Sequence, residues 1–152
     1  MNDLTHLNQC IAEHWLGPLQ KNQFQYLEAI RVCIAKLNHS TQTLHRVANN
    51  LSASLTTCAA VPVELNALYL NYVRLAAKDI VAGFVEKWIE TGLDWEQTQW
   101  LARIDNQQLK RLSEQWEGPI MHFNTQPFIE GAALHPEAAK EHARAYITII
   151  IQ

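Results

Sequence analysis

The sequence predicts an all-α protein, and three observations support that prediction. Glycine and proline occur only five times each among 152 residues, of which 48% are hydrophobic. Apolar residues recur at intervals of three and four along most of the chain, which is the spacing of one helical face. Residues 91–124 contain two short helical runs separated by a polar break, as in a helix-turn-helix. The predicted fold is a helical dimer with a long amino-terminal helix and a helix-turn-helix-like carboxyl-terminal unit.

Residues 1–60 are predicted to form a helical extension whose main feature is a heptad seam. A short first helix, which Asp3 can cap, is expected to end at Gly17-Pro18. Beyond it, apolar residues alternate at spacings of three and four over four heptads, which predicts one long helix. The seam is formed by Leu27, Ile30, Ile34, Leu37, Thr41, Leu44, Ala48, Leu51 and Leu55. Its flanking positions carry almost no charge, which favours packing against a neighbouring helix over a free coiled coil.

Residues 61–124 are predicted to form the helical core. Pro62 interrupts the pattern, and the next helix is expected over 64–90. This helix carries two adjacent apolar stripes, one formed by Leu65, Leu68, Tyr72 and Leu75, the other by Tyr69, Val73, Ala76, Ile80 and Phe84. So wide an apolar face is buried on two sides, by the preceding helix and by a subunit partner. We therefore expect a homodimer whose interface is formed by Ile30, Ile34, Leu37, Leu44, Leu51, Leu68 and Tyr72.

The helix-turn-helix-like segment follows the turn at Gly92. Asp94 is expected to cap a helix that reaches Ile104, and Asn106 is expected to begin a second helix that reaches about Trp116. Asn in place of the usual turn glycine is tolerated, because Asn accepts the left-handed conformation. The sequence therefore predicts two short helices joined by a tight turn.

Residues 125–152 are predicted to form a carboxyl-terminal tail with one helix. Before it, the stretch PIMHF is expected to be extended and TQPFIEG to be a loop. The stretch HPEAAKEHARAY has the pattern of a helix with Pro136 in its first turn. The closing ITIII is β-branched, which fits either a strand or the buried end of that helix.

Charge and cysteine usage restrict the class of protein. A net charge of −3 with a pI near 6.1 argues against a free-standing nucleic-acid binder, which normally has a basic face. The three cysteines are far apart and form no CxxC, which suits a reducing cytoplasm. The amino terminus lacks the pattern of a signal peptide, and no stretch is long and apolar enough to span a membrane. The sequence predicts a soluble cytoplasmic protein.

Neither a metal site nor an enzyme is predicted. Cys10 and His14 lie four residues apart, and His135 and His142 lie seven apart, but neither pair has the second close pair that structural zinc needs. No nucleophile elbow, P-loop, dinucleotide fingerprint or HExxH motif occurs. We expect no bound metal, no cofactor and no catalytic residues.

Four of the five tryptophans fall between residues 88 and 116. Trp88 and Trp100 have apolar neighbours, which favours core packing. Trp95 and Trp116 have polar neighbours, which is at least as compatible with a partner interface, where Trp is enriched. Trp95 and Trp116 are therefore the candidate partner-binding residues.

Three basic residues in the helix-turn-helix-like segment are candidates for DNA contact: Arg103, Lys110 and Arg111. Lys110 and Arg111 lie on the second helix, where a recognition helix presents its side chains to phosphates and base edges. A solvated helix face in which Glu114 balances Lys110 is an equally good explanation. Five acidic residues outnumber these three bases over 94–124, so the segment has a net charge of −2.

One part of the chain resembles a known family. The stretch is LYLNYVRLAAKDIVAGFVEKWIETGLDWEQTQWLARIDNQQLKRLSEQWEGPIMHFN, and its pattern of helix, glycine turn and two short helical runs resembles the FlhD family of bacterial transcriptional regulators. The similarity is closest over 91–124. It implies an all-α dimer that joins FlhC subunits in a hetero-oligomeric transcription activator, in which the zinc-binding FlhC supplies most of the DNA affinity. RNA polymerase is a further possible partner of such an activator.

Three features depart from the family pattern. Family members usually begin near residue 60, so the first sixty residues are additional. Met121 stands where some members carry a cysteine that bridges their dimer, and Glu90 stands where members carry arginine before the glycine turn. Such divergence suggests a regulator from a mobile element or a distant genome. The alternative function is a helical adaptor or structural interaction protein that does not bind DNA.

Overall fold

The computed structural model describes residues 2–50 and 62–146, and most of these residues are helical. In chain order the elements are α1 (Asp3–Leu16), α2 (Lys21–Ala29), β1 (Ala35–Lys36), α3 (Thr41–Ala48), α4 (Val63–Val81), α5 (Glu86–Thr91), α6 (Trp95–Arg103), α7 (Asn106–Gln115), β2 (His122–Phe123), α8 (Thr125–Ala132) and α9 (Pro136–Arg144). The strands β1 and β2 pair as a two-stranded sheet. The predicted all-α class is confirmed at this level. In the described ranges, no helix is long and apolar enough to cross a membrane.

The chain forms two units. Unit 1 combines the residues up to Lys36 with those from Phe123 onward, and unit 2 runs from Leu37 to His122. In unit 1, α2 packs against α1, α8 and α9. In unit 2, α4 packs against α5, α6 and α7, and α3 packs against α7. The boundaries between the units therefore lie after residues 36 and 122, whereas the sequence predicts boundaries after residues 60 and 124.

Helix α1 lies where the sequence predicts a first helix, but another residue caps it. The side chain of Asn2 accepts a hydrogen bond from the Thr5 N–H at 2.7 Å, and Asp3 is the first helical residue. The helix ends at Gly17, whose φ of 76° lies in the left-handed region that favours glycine. An acidic residue in the first turn still complements the helix dipole.

The prediction of one long heptad helix is wrong. Helix α2 ends at Ala29, and the chain returns to helix only at Thr41. Between them, Ile30, Val32 and Ile34 are all buried, and a run of β-branched residues favours extended backbone. The buried Asn8 side chain forms hydrogen bonds with this extended backbone. It donates to the Val32 carbonyl and accepts from the Ile34 N–H, both at 2.9 Å.

The heptad spacing therefore arises from two short helices and a buried extended segment. Ser40 begins the second of these helices, since its hydroxyl accepts from the Thr43 N–H at 3.2 Å. The last two seam positions, Leu51 and Leu55, lie outside the described residues.

Helix α4 begins directly after Pro62, as predicted, but it ends earlier than expected. Its carboxyl end is followed by Gly83, whose φ of 111° breaks the helix, so the predicted helix over 64–90 is two helices. Asn66 is completely buried and joins α4 to the segment after α7. Its side chain accepts from the Ile120 N–H at 2.8 Å and donates to the Gly118 carbonyl at 3.1 Å.

Helices α6 and α7 begin where the sequence predicts, each at a capping box. The Asp94 carboxylate accepts from the Gln97 N–H at 2.7 Å, and the Gln97 side chain accepts from the Asp94 N–H at 3.0 Å. Asp105 and Gln108 make the equivalent pair at 2.8 and 3.0 Å. Asn106 is the first residue of α7. It does not adopt the left-handed conformation expected for it: among the described residues, only glycines have a positive φ.

The carboxyl-terminal tail contains more helix than predicted. The stretch expected to be a loop, TQPFIEG, forms most of α8. Asn124 caps this helix by accepting from the Gln126 N–H, and Pro127 lies in the first turn, where its missing N–H costs no helical hydrogen bond. Helix α9 begins at Pro136, as predicted. The segment ITIII lies outside the described residues.

Candidate protein-interaction site

Helix α5 turns its apolar side towards solvent. Val85, at its amino-terminal cap, is 60% exposed, and Ile89, one turn later, is 62% exposed. Trp88 lies on the same side by helical spacing and is half-buried. A helix that folds only with its own chain would bury this stripe.

The polar residues Lys87, Glu90 and Thr91 of α5 are less exposed than its apolar Val85 and Ile89, whereas Glu86 is exposed. Thr91 is buried, and its hydroxyl donates to the Lys87 carbonyl at 2.9 Å. The Lys87 ammonium lies 3.4 Å from the Glu90 carboxylate, and both side chains are half-buried. Burial raises the pKa of Glu90 above its ordinary value, because a low-dielectric environment disfavours the ionised carboxylate. The orientation of α5 is therefore the reverse of that expected for a helix on the surface of a monomer.

Residues close to α5 in sequence are also apolar and exposed. The ring of Trp88 lies 5.5 Å from the ring of Trp95, at the start of α6, and the two planes are inclined by 53°. Five large side chains here are between 48% and 62% exposed. We call the region the α5 surface, and it consists of Val81, Phe84, Val85, Trp88, Ile89 and Trp95.

The α5 surface is large for a chain that stays alone. Aromatic side chains each bury about 150–250 Å² when covered. Six large apolar side chains, most of them roughly half exposed, leave on the order of 500 Å² of apolar area. A patch of this size lies in the upper part of the range seen on monomers, where such patches are often functional. It also provides a large part of the roughly 800 Å² that each partner contributes to a standard interface.

The exposed charges of segment 78–96 are mostly acidic. Four carboxylates stand against one ammonium group: Asp79, Glu86, Asp94 and Glu96 are exposed together with Lys78. The remaining two charged residues of the segment are the paired Lys87 and Glu90. Each of the four carboxylates lies within two residues in sequence of a member of the α5 surface, and we call them its acidic rim.

The three basic candidates for DNA contact differ in their environments. Arg103 and Lys110 are exposed, and Lys110 forms no ion pair with Glu114. Arg111 is half-buried, and its guanidinium donates to the carbonyl of Ala48 at 3.1 Å. Since Ala48 is the last residue of α3, this bond satisfies a carbonyl at a helix end. Arg111 therefore stabilises packing within unit 2, and only Arg103 and Lys110 are free to reach another molecule.

Most residues predicted at the dimer interface are core residues in this structure. Ile30, Ile34, Leu37 and Leu44 are each at most 4% exposed, so they are covered by their own chain and not available to a second copy. Leu51 lies outside the described residues. Leu68 and Tyr72 remain half-buried on α4, and they share a stripe with Leu75, which is 61% exposed. The Tyr72 hydroxyl is buried and has no hydrogen-bond partner among the described residues.

The two tryptophans predicted to bind a partner are placed differently. Trp95 lies on the α5 surface, as described above. Trp116 ends α7, is half-buried, and packs its ring 4.3 Å from that of His39. Burial, together with the nearby His122, lowers the pKa of His39, although a backbone hydrogen bond with Ile120 opposes the effect. Trp116 therefore contributes to the packing of unit 2.

The residues considered for zinc do not form a ligand cluster. The Cys10 sulfur lies 3.7 Å from His6 Nε2, and this histidine was not part of the predicted pair with His14. Among residues 2–50 and 62–146, no group of three or more His, Cys, Asp or Glu side chains is arranged to hold a metal ion.

Unit 1 contains a pocket that no sequence motif indicates. It has a volume of about 500 Å³ and lies between α2 and the segment from the end of α8 into α9. Beside it, the Tyr26 hydroxyl lies 2.5 Å from His142 Nδ1. Both rings pack against Gly131, where an added Cβ would lie 2.3 Å from the Tyr26 oxygen. The sequence signal for this close approach is Gly131 itself, since any larger residue there would meet Tyr26.

Comparisons of the chain with protein-family models, with curated proteins and with solved structures found no match.

Proposed function

We propose that the chain is a non-catalytic, protein-binding subunit of a transcription-activating complex. The observation that carries the proposal is the α5 surface, in which a helix exposes its apolar side and partly buries its charged side. Burying one large apolar side chain stabilises an interface by about 1.5–3 kcal/mol. An interface that covers Val85, Ile89 and Trp95 therefore gains more than it loses in side-chain ordering.

The role in transcription is supported by the resemblance to the FlhD family together with the arrangement of three helices. Helices α6 and α7 both pack against α4, and a tight turn at Ile104-Asp105 separates them. Three helices in this order are typical of helix-turn-helix units. Arg103 and Lys110 are exposed on the two shorter helices. In a complex, these two side chains would be held near the duplex.

The chain needs a partner to bind DNA. Segment 94–124 has a net charge of −2, and Arg111 already bonds to Ala48. Affinity for DNA comes mainly from cations that displace counterions from phosphates, so two exposed bases give only weak binding at physiological salt. We propose that an FlhC-like protein supplies the missing positive charge, and that a second copy of the chain pairs through the stripe of Leu68, Tyr72 and Leu75 on α4.

The second candidate function is an adaptor that binds protein but not DNA. The use of Arg111 within unit 2 and the acidic rim near α6 favour this alternative. Both functions use the α5 surface, so the presence of the chain at promoters separates them.

Chromatin immunoprecipitation of an epitope-tagged chain, expressed in a host that encodes the complex, tests the proposal. We expect enrichment at discrete promoters with the wild-type chain. Ile89→Asp places a charge in the α5 surface and is expected to abolish the enrichment, because the partner that brings the DNA affinity is lost. Ile129→Asp is the matched control, since Ile129 is also exposed but lies on α8 in unit 1.

Three results would count against the proposal. No enrichment of the wild-type chain, with partner binding retained, favours the adaptor. Equal promoter enrichment of wild type and Ile89→Asp would show that the α5 surface is not needed for association with promoters. A gel shift of promoter DNA by the purified chain alone at physiological salt contradicts the need for a basic partner.

A further inference from the structure

We propose that the α5 surface is the docking site for a basic amphipathic helix of the partner protein. This inference rests on the proposed function and adds the chemistry of the partner to it. Three properties of the surface support the inference: the spacing of its apolar side chains, the hydrogen bonding of its backbone, and the charge of its rim.

The spacing and the backbone favour a helix over an extended peptide. Val85, Trp88 and Ile89 lie three and four residues apart, so they present a ridge that fits between the side chains of another helix. The α5 backbone bonds within its own helix, as in the Gly92 N–H that donates to the Trp88 carbonyl at 2.9 Å. No strand edge is therefore available on α5 for the addition of an extended peptide. An amphipathic helix docks through side chains alone, with anchors at helical spacing.

The acidic rim determines the charge of that helix. The four exposed carboxylates lie at the end of α4, at the start of α5 and around the start of α6. Lys87, on the inward side of α5, is already paired with Glu90. Lysines and arginines beside the apolar anchors of the incoming helix would meet these carboxylates. Charge complementarity of this kind raises the association rate and selects among partners of similar shape.

Other occupants fit the rim less well. A second copy of the chain would place two acidic rims together, and like charges across an interface cost binding energy. Membranes that carry anionic lipids repel an acidic surface. Phosphate groups of DNA do the same. A basic helix is the occupant that satisfies both the apolar centre and the acidic rim.

The experiment begins with selection from a display library of 20-residue helix-forming peptides on the full-length wild-type chain. Counter-selection against Ile89→Asp removes peptides that bind elsewhere. We expect the enriched peptides to carry apolar anchors at helical spacing and a net positive charge. Binding of the best labelled peptide is then measured by fluorescence anisotropy at low and physiological salt.

Two variants test the rim separately from the apolar centre. The double substitution Glu86→Lys with Glu96→Lys is expected to lower the affinity for the basic peptide by about tenfold or more. The reason is that attraction between the peptide and these two positions becomes repulsion. The double substitution Glu86→Gln with Glu96→Gln keeps the size of both side chains and is expected to lower the affinity for the peptide less. Both residues are exposed, and circular dichroism at matched concentration checks that the variants remain folded. Ile129→Asp should bind the peptide as the wild type does.

Several outcomes would overturn the inference. Enriched peptides that are acidic or proline-rich would do so, and so would the absence of any peptide that distinguishes wild type from Ile89→Asp. A homodimer that Ile89→Asp dissociates in analytical ultracentrifugation assigns the surface to a second copy. Co-sedimentation of the chain with phosphatidylserine vesicles, lost in the same variant, assigns it to a membrane.

The peptide and chromatin experiments fail independently. Loss of promoter enrichment in Ile89→Asp, without selection of a basic helix, retains the proposed function and rejects the docked helix. Selection of a basic helix without promoter enrichment retains the docked helix and rejects the transcription role.

Discussion

Helices α5 and α7 belong to the same unit and are both short and amphipathic, yet they turn opposite sides outward. Helix α7 buries Leu109 and Leu112 and leaves Lys110 in solvent. Helix α5 leaves Val85 and Ile89 in solvent. Amphipathicity identifies two sides of a helix, while the elements packed against the helix determine which side is covered. Unit 2 therefore covers the apolar side of α7 and leaves the apolar side of α5 exposed.

An aspartate substitution in each helix is expected to affect stability very differently. Leu112→Asp buries a carboxylate at a fully buried position and is expected to destabilise unit 2 by about 3–5 kcal/mol or unfold it. Ile89→Asp changes an exposed residue, so the free energy of unfolding of this variant should stay within about 0.5 kcal/mol of the wild-type value. Urea denaturation followed by circular dichroism measures both. A large loss of stability in Ile89→Asp would show that α5 is part of the core.

A smaller effect is expected from the caps that begin the two helices. Asp105→Ala removes the side chain that accepts from the Gln108 N–H and should cost about 0.5–2 kcal/mol. Helix α5 has no side-chain cap, and Glu86 lies in its first turn, so Glu86→Ala should cost a few tenths of a kcal/mol. The urea midpoints of the two variants provide the test. Equal losses would mean that α5 and α7 depend equally on their amino-terminal residues.

The two adjacent basic residues of α7 differ in their environments. Arg111→Ala removes the bond to the Ala48 carbonyl and should destabilise the chain by about 0.5–1.5 kcal/mol. Lys110→Ala alters an exposed side chain and should have no effect on stability beyond about 0.5 kcal/mol. If the complex binds its promoter, Lys110→Ala should lower the salt slope of binding by about one unit. Thermal unfolding and promoter binding, measured on both variants, separate the structural role from the DNA-binding role.

The smallest effect concerns Glu90, on the inward side of α5. Because burial raises its folded-state pKa, the folded chain holds this proton to a higher pH than the unfolded chain does. Stability from this group is therefore present at low pH and is lost as the pH rises through the raised folded pKa. Glu90→Gln should slightly stabilise the chain at pH 7 and change it little below about pH 4. Urea denaturation of Glu90→Gln and wild type at both pH values provides the test. If the substitution shifts the urea midpoint by the same amount at both, the prediction is wrong.

The sequence predicted helices best where the chain carries its own local signals. The capping boxes at Asp94 and Asp105 involve residues three positions apart, so both helices begin as expected. Gly83 also acts locally, but its effect was hidden by apolar residues that continue the helical spacing on both sides of it. Periodicity alone therefore overestimated the length of the helix after Pro62.

Predictions that depend on distant contacts were less successful. The heptad spacing could not reveal that Asn8, more than twenty residues earlier, bonds the backbone of the seam in an extended form. Nor could it show that Arg111 reaches Ala48, which is 63 positions away. For the candidate site, the sequence identified Trp95 but not the outward orientation of α5, because orientation depends on what the rest of the unit covers.

The division of the chain has a consequence for the order in which it folds during synthesis. Unit 2 is drawn from one stretch of sequence, whereas unit 1 requires residues on both sides of that stretch. As the ribosome releases the chain from its amino terminus, α1 and α2 emerge first but must wait for α8 and α9, against which α2 packs. Unit 2 contains its own packing partners, since α3, α4, α5, α6 and α7 pack against one another. The packing of unit 1 therefore depends on residues that are synthesised after unit 2, whereas the packing of unit 2 does not.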